Sequence, residues 1–197
     1  RTVKLPSREI IIGFEQGIPV SLDGEMLPPV LLLEKLNQIA GDYGIGRMDM
    51  VENRVVGLKS REVYEGPAAV ILVAAHVELE RVVLDRPTST YKRRIADDFA
   101  NLIYDGLWFG PLRHALQAFV DETQKHVTGE VRIRLSAGRY IVTGRRSPYS
   151  LYDDGLATYS HGDTFDREAA AGFLKLYGLS YRTWGGLQRK VGEHPSE

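Results

Sequence analysis

The sequence contains no cysteine, which excludes a disulfide frame, a thiolate-held zinc and a cysteine nucleophile, and suits a reducing cytoplasm. It also lacks a long apolar run: the most hydrophobic stretch, Pro67 to Val77, falls far short of the roughly 20 residues that cross a bilayer. The polar opening RTVKLPSRE has no signal-peptide core. Neither sign of charge prevails, because 25 Lys and Arg face 26 Asp and Glu for a net charge of -1. No basic field therefore invites a nucleic acid or an anionic membrane. Glycine loops of the GxxxxGK[ST] or GxGxxG type are missing ahead of every predicted helix, so the chain has no visible means of gripping a nucleotide's phosphates. The five histidines never fall at HExxH spacing. The start carries no initiator methionine and reads as a linker into a strand, which leads us to expect part of a longer protein.

What is present is enough for a globular domain, since 197 residues with 43% hydrophobic content can bury a core. Apolar residues alternate over Glu9 to Leu22 around Gln16-Gly17 and predict a hairpin closed by Asp23-Gly24. Pro28 and Pro29 then open a helix with Val30, Leu33, Leu36 and Ala40 on its apolar positions, Asn37 being the polar exception. Arg47 to Tyr64 reads as charged strands and turns. Pro67 opens a second helix to about Leu84, apolar nearly all round at its start and expected deep in the core.

Thr88, Ser89 and Thr90 offer caps for a third helix striped by Ile95, Phe99, Leu102 and Ile103. A fourth follows Pro111 with Leu112, Leu116, Phe119 and Val120, and the two stripes suit each other. Val131, Ile133 and Leu135 alternate with charged residues and turn at Ala137-Gly138, predicting a half-exposed hairpin. Asp163 or Thr164 can cap a last helix carrying Phe165, Ala169, Phe173 and Leu176, and the tail beyond Gly185-Gly186 has too little apolar surface to fold alone. Strands and helices do not alternate regularly, so the expected class is α+β, a mixed or antiparallel sheet packed with several helices plus a short C-terminal arm. The domain reading is 1-183 for the main domain and 184-197 for the arm.

Candidate chemistry concentrates in one segment. Glu52, Asn53, Arg54, Lys59, Ser60, Arg61, Glu62, Tyr64 and Glu65 crowd polar groups into a stretch that leads directly into an apolar helix, and such loops often carry binding residues. Two readings stand: a solvated, salt-bridged strand pair, or a site for a zwitterionic amino acid. In the second, Glu52 offers an anion for an ammonium, and Lys59, Ser60, Arg61 and the Tyr64 hydroxyl offer donors for a carboxylate. Elsewhere, His161 with Asp163 and Asp166 is the nearest approach to a metal cluster, and reads as a solvated loop ahead of a metal hydrolase. His76 reads as a packed, hydrogen-bonded core histidine. Tyr149 and Tyr152 beside Arg145 and Arg146 suit interface packing better than base stacking.

The runs VENRVVGLKSREVYE (Val51 to Glu65), NLIYDGLWF, HVTGEVRI and GRRSPYSLYD (Gly144 to Asp153) together resemble the synthetase domain of the argininosuccinate synthase family, in order and over nearly the whole chain. The resemblance implies an ATP-dependent ligation in which citrulline's ureido oxygen is adenylated with loss of pyrophosphate and aspartate's amine displaces AMP, with Mg accompanying the nucleotide. It implies citrulline contacts at Glu52 and Tyr64, with Lys59, Ser60 and Arg61 as neighbours, and no catalytic or metal residue assigned here. ATP, Mg and aspartate would be held by an N-terminal domain outside this chain, which alone should be inactive. It further implies a cytoplasmic homo-oligomer, a tetramer assembled partly through the C-terminal arm. Glu62 and Gly66 depart from the family's usual glycine and threonine, and Glu62, between Glu52 and Tyr64, bears on the geometry of that loop. The competing class is a stand-alone amino-acid-binding or oligomerisation module without catalysis.

Overall fold

The structure, a computed structural model, describes residues 5–157 and 165–192, and the chain divides after Tyr152 into two compact units. The first is built on an antiparallel sheet. Strands β1 (Arg8–Glu15), β2 (Ile18–Leu22), β3 (Glu25–Met26), β6 (Gly129–Ser136) and β7 (Arg139–Arg146) lie in the order β3-β2-β1-β6-β7. The predicted class is therefore observed, with every pairing antiparallel. Gln16 and Gly17 have φ of 49° and 81°, so two left-handed residues make the tight turn that matches strand twist. Asp23 and Gly24 repeat that geometry at 52° and 84°. Instead of simply closing the first hairpin, they start a second and add β3.

Alternation along the central strands sorts side chains by face. Ile10, Ile12, Val131, Ile133 and Leu135 are fully buried on one face, whereas Glu9, Arg132 and Arg134 are exposed on the other. Two helices cover the buried face: α1 (Pro29–Asp42), through Leu32, Leu36 and Ala40, and α2 (Pro67–Val83), through Ala68, Ile71, Ala75, Leu79 and Val83. The expected face of α1 is rotated, since Leu33 and Val30 are exposed and Leu32 takes the core position. Proline at the first helical position sets the phase, and a run of three leucines satisfies either stripe. The expectation that α2 lies deep in the core is corrected too. Only one stripe is buried; Val73 is 64% exposed and, with Met48, Val77, Tyr140 and Val142, lines an apolar groove of about 530 Å³.

Asn37, the polar exception on α1, accepts the Ala68 N–H at 2.9 Å. It supplies from a neighbouring helix the cap that Gly66, without a side chain, cannot give α2. Helix α3 (Arg86–Tyr104) packs on α4 (Pro111–Gln124), Tyr91 meeting Phe119 edge-on at 5.3 Å. Its cap is Asp85, which accepts the Thr88 N–H at 2.7 Å. The expected caps Thr88, Ser89 and Thr90 lie inside the helix, because Pro87 suits the opening positions and moves the boundary back. His76 is hydrogen-bonded to Gln124 Oε1 at 2.8 Å, and Gln124 donates to Glu80 at 2.7 Å, so His76 is a partnered, half-buried histidine.

The second unit contains α5 (Asp154–Ala157), α6 (Arg167–Tyr177) and α7 (Leu179–Gly192). Asp166 caps α6 by accepting the Ala169 N–H at 2.9 Å; the expected caps Asp163 and Thr164, and His161, lie outside the described residues. Gly185 and Gly186 do not end the chain's structure, for α7 runs through them to Gly192 and across position 183/184. Two glycines weaken a helix by about 1 kcal/mol each relative to alanine but do not forbid it. No described residue of this unit is buried.

Candidate functional site

The dense polar segment folds as a hairpin of β4 (Arg47–Asn53) and β5 (Lys59–Glu65), a two-stranded sheet of its own. Its tip is closed by Arg54 N–H donating to Leu58 O at 2.8 Å and by Gly57 at φ 89°. At its root the Gly66 N–H donates to Gly46 O at 2.8 Å. Gly46 has φ 90°, and a Cβ there would lie 2.5 Å from the Pro67 backbone. Only glycine allows that close approach, which ties the hairpin to the first turn of α2. A second tether reaches the tip, where the Tyr104 hydroxyl of α3 donates to Asn53 O at 3.0 Å.

Register decides which of the candidate residues share a face. Glu52 stands opposite Ser60, Met50 opposite Glu62 and Met48 opposite Tyr64, so these six side chains point to one side. Lys59 and Arg61 pair with Asn53 and Val51 and belong to the other side. There Lys59 donates to Asn53 Oδ1 at 2.7 Å, and Arg61 grips Asp49 through two bonds of 2.8 and 2.5 Å. The Arg61 bond pulls the Asp49 carboxyl below its ordinary value and raises the guanidinium in return. Of the expected neighbours, only Ser60 joins Glu52 and Tyr64.

On the site face the Tyr64 hydroxyl donates to Glu52 Oε1 at 2.9 Å. That bond, ahead of burial and the nearby carboxylates, holds the phenol above the ordinary tyrosine value. Glu52 is more covered than Arg54 or Glu62, its side chain 16% exposed against 38% and 34%. Sequence reasoning gave Arg54 only the role of a surface ion-pair partner of Glu52 in the competing reading, yet it organises the face. Its Nη1 lies 3.0 Å from Glu52 Oε1, its Nη2 donates to Glu62 Oε1 at 2.5 Å and its Nε donates to Ser60 Oγ at 2.7 Å. A hydrogen bond with Tyr104 and then the Glu62 bond raise its ionisation further. The signal for this was the alternation of Arg54, Ser60 and Glu62 around a five-residue loop, legible only once the register is known.

The arrangement is a carboxylate held by a phenol and a guanidinium on an open face, and both contacts fall on Oε1. It can accept a hydrogen-bonding cation and offer hydroxyl groups beside it. Among the described residues no group of three or more His, Asp or Glu side chains stands ready to hold a metal ion, and no helix is long and apolar enough to cross a membrane.

Comparison with known proteins adds a consistent set of matches. The family model described as the arginosuccinate synthase C-terminal domain matches residues 3–184. The argininosuccinate synthase of Chlorobium luteolum is 56% identical over 173 residues, which is 88% of this chain and 43% of that protein. That of Chlorobium phaeobacteroides is 54% identical over 91% of this chain and 45% of its own length. The protein of the same name from a Synechococcus strain is 54% identical over 92% and 45%. The chain thus spans less than half the length of the curated relatives it matches.

Proposed function

This chain belongs to the argininosuccinate synthase family, and we propose that it acts as the citrulline-binding and assembly part of an enzyme that joins citrulline to aspartate at the expense of ATP, releasing AMP and pyrophosphate. The observation that carries the reading is the Tyr64–Glu52 hydrogen bond of 2.9 Å on the one hairpin face that gathers Ser60 and Arg54 as well. Glu52 receives the ammonium of citrulline, and the Tyr64 hydroxyl, already oriented by Glu52, hydrogen-bonds the same substrate. Taking an ammonium out of water requires an anionic acceptor, and a charge-assisted bond contributes roughly 1.5–3 kcal/mol. Holding citrulline in one orientation against an activated group across a domain boundary supplies most of what positioning can give a two-substrate ligation.

ATP, its Mg ion and aspartate fall to the portion of the enzyme that lies outside this chain, a protein of the cytoplasm. On this reading the carboxylate–phenol–guanidinium group of this chain takes the amino-acid end of citrulline. The nucleotide supplies activation of the ureido oxygen, and the residues of this chain bind and orient the amino-acid end. Assembly falls to the exposed apolar helices of the second unit, which we assign to a homotetramer.

The test is steady-state kinetics of the complete enzyme. Glu52→Gln keeps the shape and removes the charge, so KM for citrulline should rise on the order of tenfold or more, with ATP and aspartate less affected. If Glu52 were only a surface partner of Arg54, the citrulline constant would stay where it is, and that result would defeat the assignment.

A further inference from the structure

The hairpin that carries Glu52 and Tyr64 is a sheet of its own, and two strands without neighbours are marginal and take their position from whatever holds them. Its root is fixed at Gly46 and Gly66 against the first turn of α2. Glu52 lies far from that root, near the other end of β4, or roughly 17 Å from Arg47 at the rise of a strand. Over that length a tilt of about 3° at the root displaces the carboxylate by about 1 Å.

The tip has a brace of its own. Tyr104 is the last residue of α3, within the run NLIYDGLWF, and its hydroxyl donates at 3.0 Å to the carbonyl of Asn53, the residue after Glu52. The same phenol hydrogen-bonds Arg54. A guanidinium only donates, whereas a hydroxyl has one proton and two lone pairs, so the proton goes to Asn53 and the oxygen accepts from Arg54. One phenol thus meets the two residues that follow Glu52, the first through its backbone and the second through the side chain whose Nη1 lies 3.0 Å from Glu52 Oε1. Helix α3 is in turn tied to α2, where Lys92 Nζ lies 2.9 Å from Glu80 Oε1 with both side chains largely covered. The hairpin is therefore referred to α2 twice, directly at its root and through α3 at its tip.

We infer that Tyr104 is a positioning residue for the proposed ligation, which holds the hairpin tip at the angle that presents citrulline's ureido group to the half of the enzyme that activates it. The inference rests on the citrulline reading above. Glu52 and Tyr64 belong to the same hairpin, so releasing its tip leaves their grip on the amino-acid end intact and displaces the reacting end. The loss then falls on kcat and not on citrulline affinity.

The experiment is steady-state kinetics of the complete enzyme with each substrate varied in turn, kcat being referred to the folded fraction read from urea unfolding. Tyr104→Phe keeps the ring and removes the bond to Asn53. It should lower kcat by about tenfold, short of the 10²-fold that a 1 Å misplacement can cost, while KM for citrulline stays within about twofold. Tyr91→Phe is the same change on the same helix, at a ring that lies edge-on to Phe119 of α4, and should leave kcat where it is. A kcat unmoved by Tyr104→Phe, in an enzyme where Glu52→Gln raises the citrulline KM, would overturn the inference and leave the citrulline reading intact, the hairpin then being held by the part of the enzyme outside this chain. A raised citrulline KM at unchanged kcat would overturn it as well, and so would an equal fall of kcat in Tyr91→Phe, which would mark a general loosening of α3. Constants unmoved in both Tyr104→Phe and Glu52→Gln would overturn the site reading and this inference together.

Discussion

Tyr64 shows what a single hydrogen bond imposes on its donor. To ionise, the phenol must give up the proton it donates to Glu52 and place a second negative charge beside that carboxylate, so its ionisation is pushed up from the ordinary value. A group raised in the folded state contributes its stabilisation in full below the unfolded value, about 10 for tyrosine, and loses it as pH rises through the folded value. The bond therefore persists across the whole neutral range. Ultraviolet difference titration should show a late-ionising phenol that disappears in Tyr64→Phe and moves toward the ordinary value in Glu52→Gln; unchanged curves in both would refute the assignment. The sequence pointed to Glu52 and Tyr64 as candidates because their types suit a zwitterion and their run resembles a known family. It did not disclose that Lys59 and Arg61 face away. A strand alternates with period two, so the face of every β5 residue hangs on the length of the Arg54–Leu58 loop, and nothing in the residue types fixes that length. Ser60 and Glu62 join the site for the same reason that Arg61 leaves it.

Elements were legible where one period dominated. Strands β1 and β6 alternate so regularly that their buried faces follow directly, and α3 and α4 carry stripes that indeed pack on each other. Legibility failed where apolar residues were in surplus. Leu31, Leu32 and Leu33 admit more than one helical face, and the opening of α2 is apolar on all sides although half of it stays uncovered. Asn37 was visible as an exception whose purpose was not, because its partner lies 31 residues away at the start of another helix. That bond predicts a measurable cost. Asn37→Leu removes the acceptor while Ala68 remains 2% exposed, and an unsatisfied buried N–H costs about 1–3 kcal/mol. Urea unfolding should show a midpoint lowered by that energy divided by the slope, with the slope itself unchanged, while Asn37→Asp, which keeps an acceptor, should lose much less. Gly46→Ala should be worse tolerated than either, since its Cβ would meet the Pro67 backbone at a φ that alanine resists. Its effect should reach citrulline affinity as well, because Gly46 anchors the hairpin root.

At the scale of the whole molecule the two units differ in kind. The first encloses a continuous core of sheet and helices, whereas α6 and α7 expose nearly everything apolar they carry. Leu176 is 75% exposed, Tyr181 77% and Trp184 63%. Among the described residues the ring contact on this pair is the stack of Phe173 on Tyr177 at 5.1 Å, and two short helices cannot bury enough surface on their own to offset the entropy of ordering them. Apolar helices without a buried residue call for another surface. A second copy of the chain provides one at equal concentration, and closed symmetry is the usual outcome when like surfaces meet. The Gly185-Gly186 pair adds to the argument: it lowers the intrinsic helicity of α7, so the helix depends on burial for its order. Aromatic anchors carry a disproportionate share of such interfaces, with losses of about 2 kcal/mol or more when a central one is removed. On the proposed homotetramer, Trp184→Asp should yield smaller species in light scattering at low micromolar concentration, accompanied by a loss of helical circular dichroism from α7. Removal of residues 187–197 should act in the same direction but less strongly, since Trp184, Tyr181 and Leu176 remain. The β4–β5 hairpin lies in the first unit with its tethers to α2 and α3 intact, so the citrulline binding proposed above should survive in the dissociated protein. A molecular mass unchanged by Trp184→Asp would show that these helices are covered by something other than a second copy.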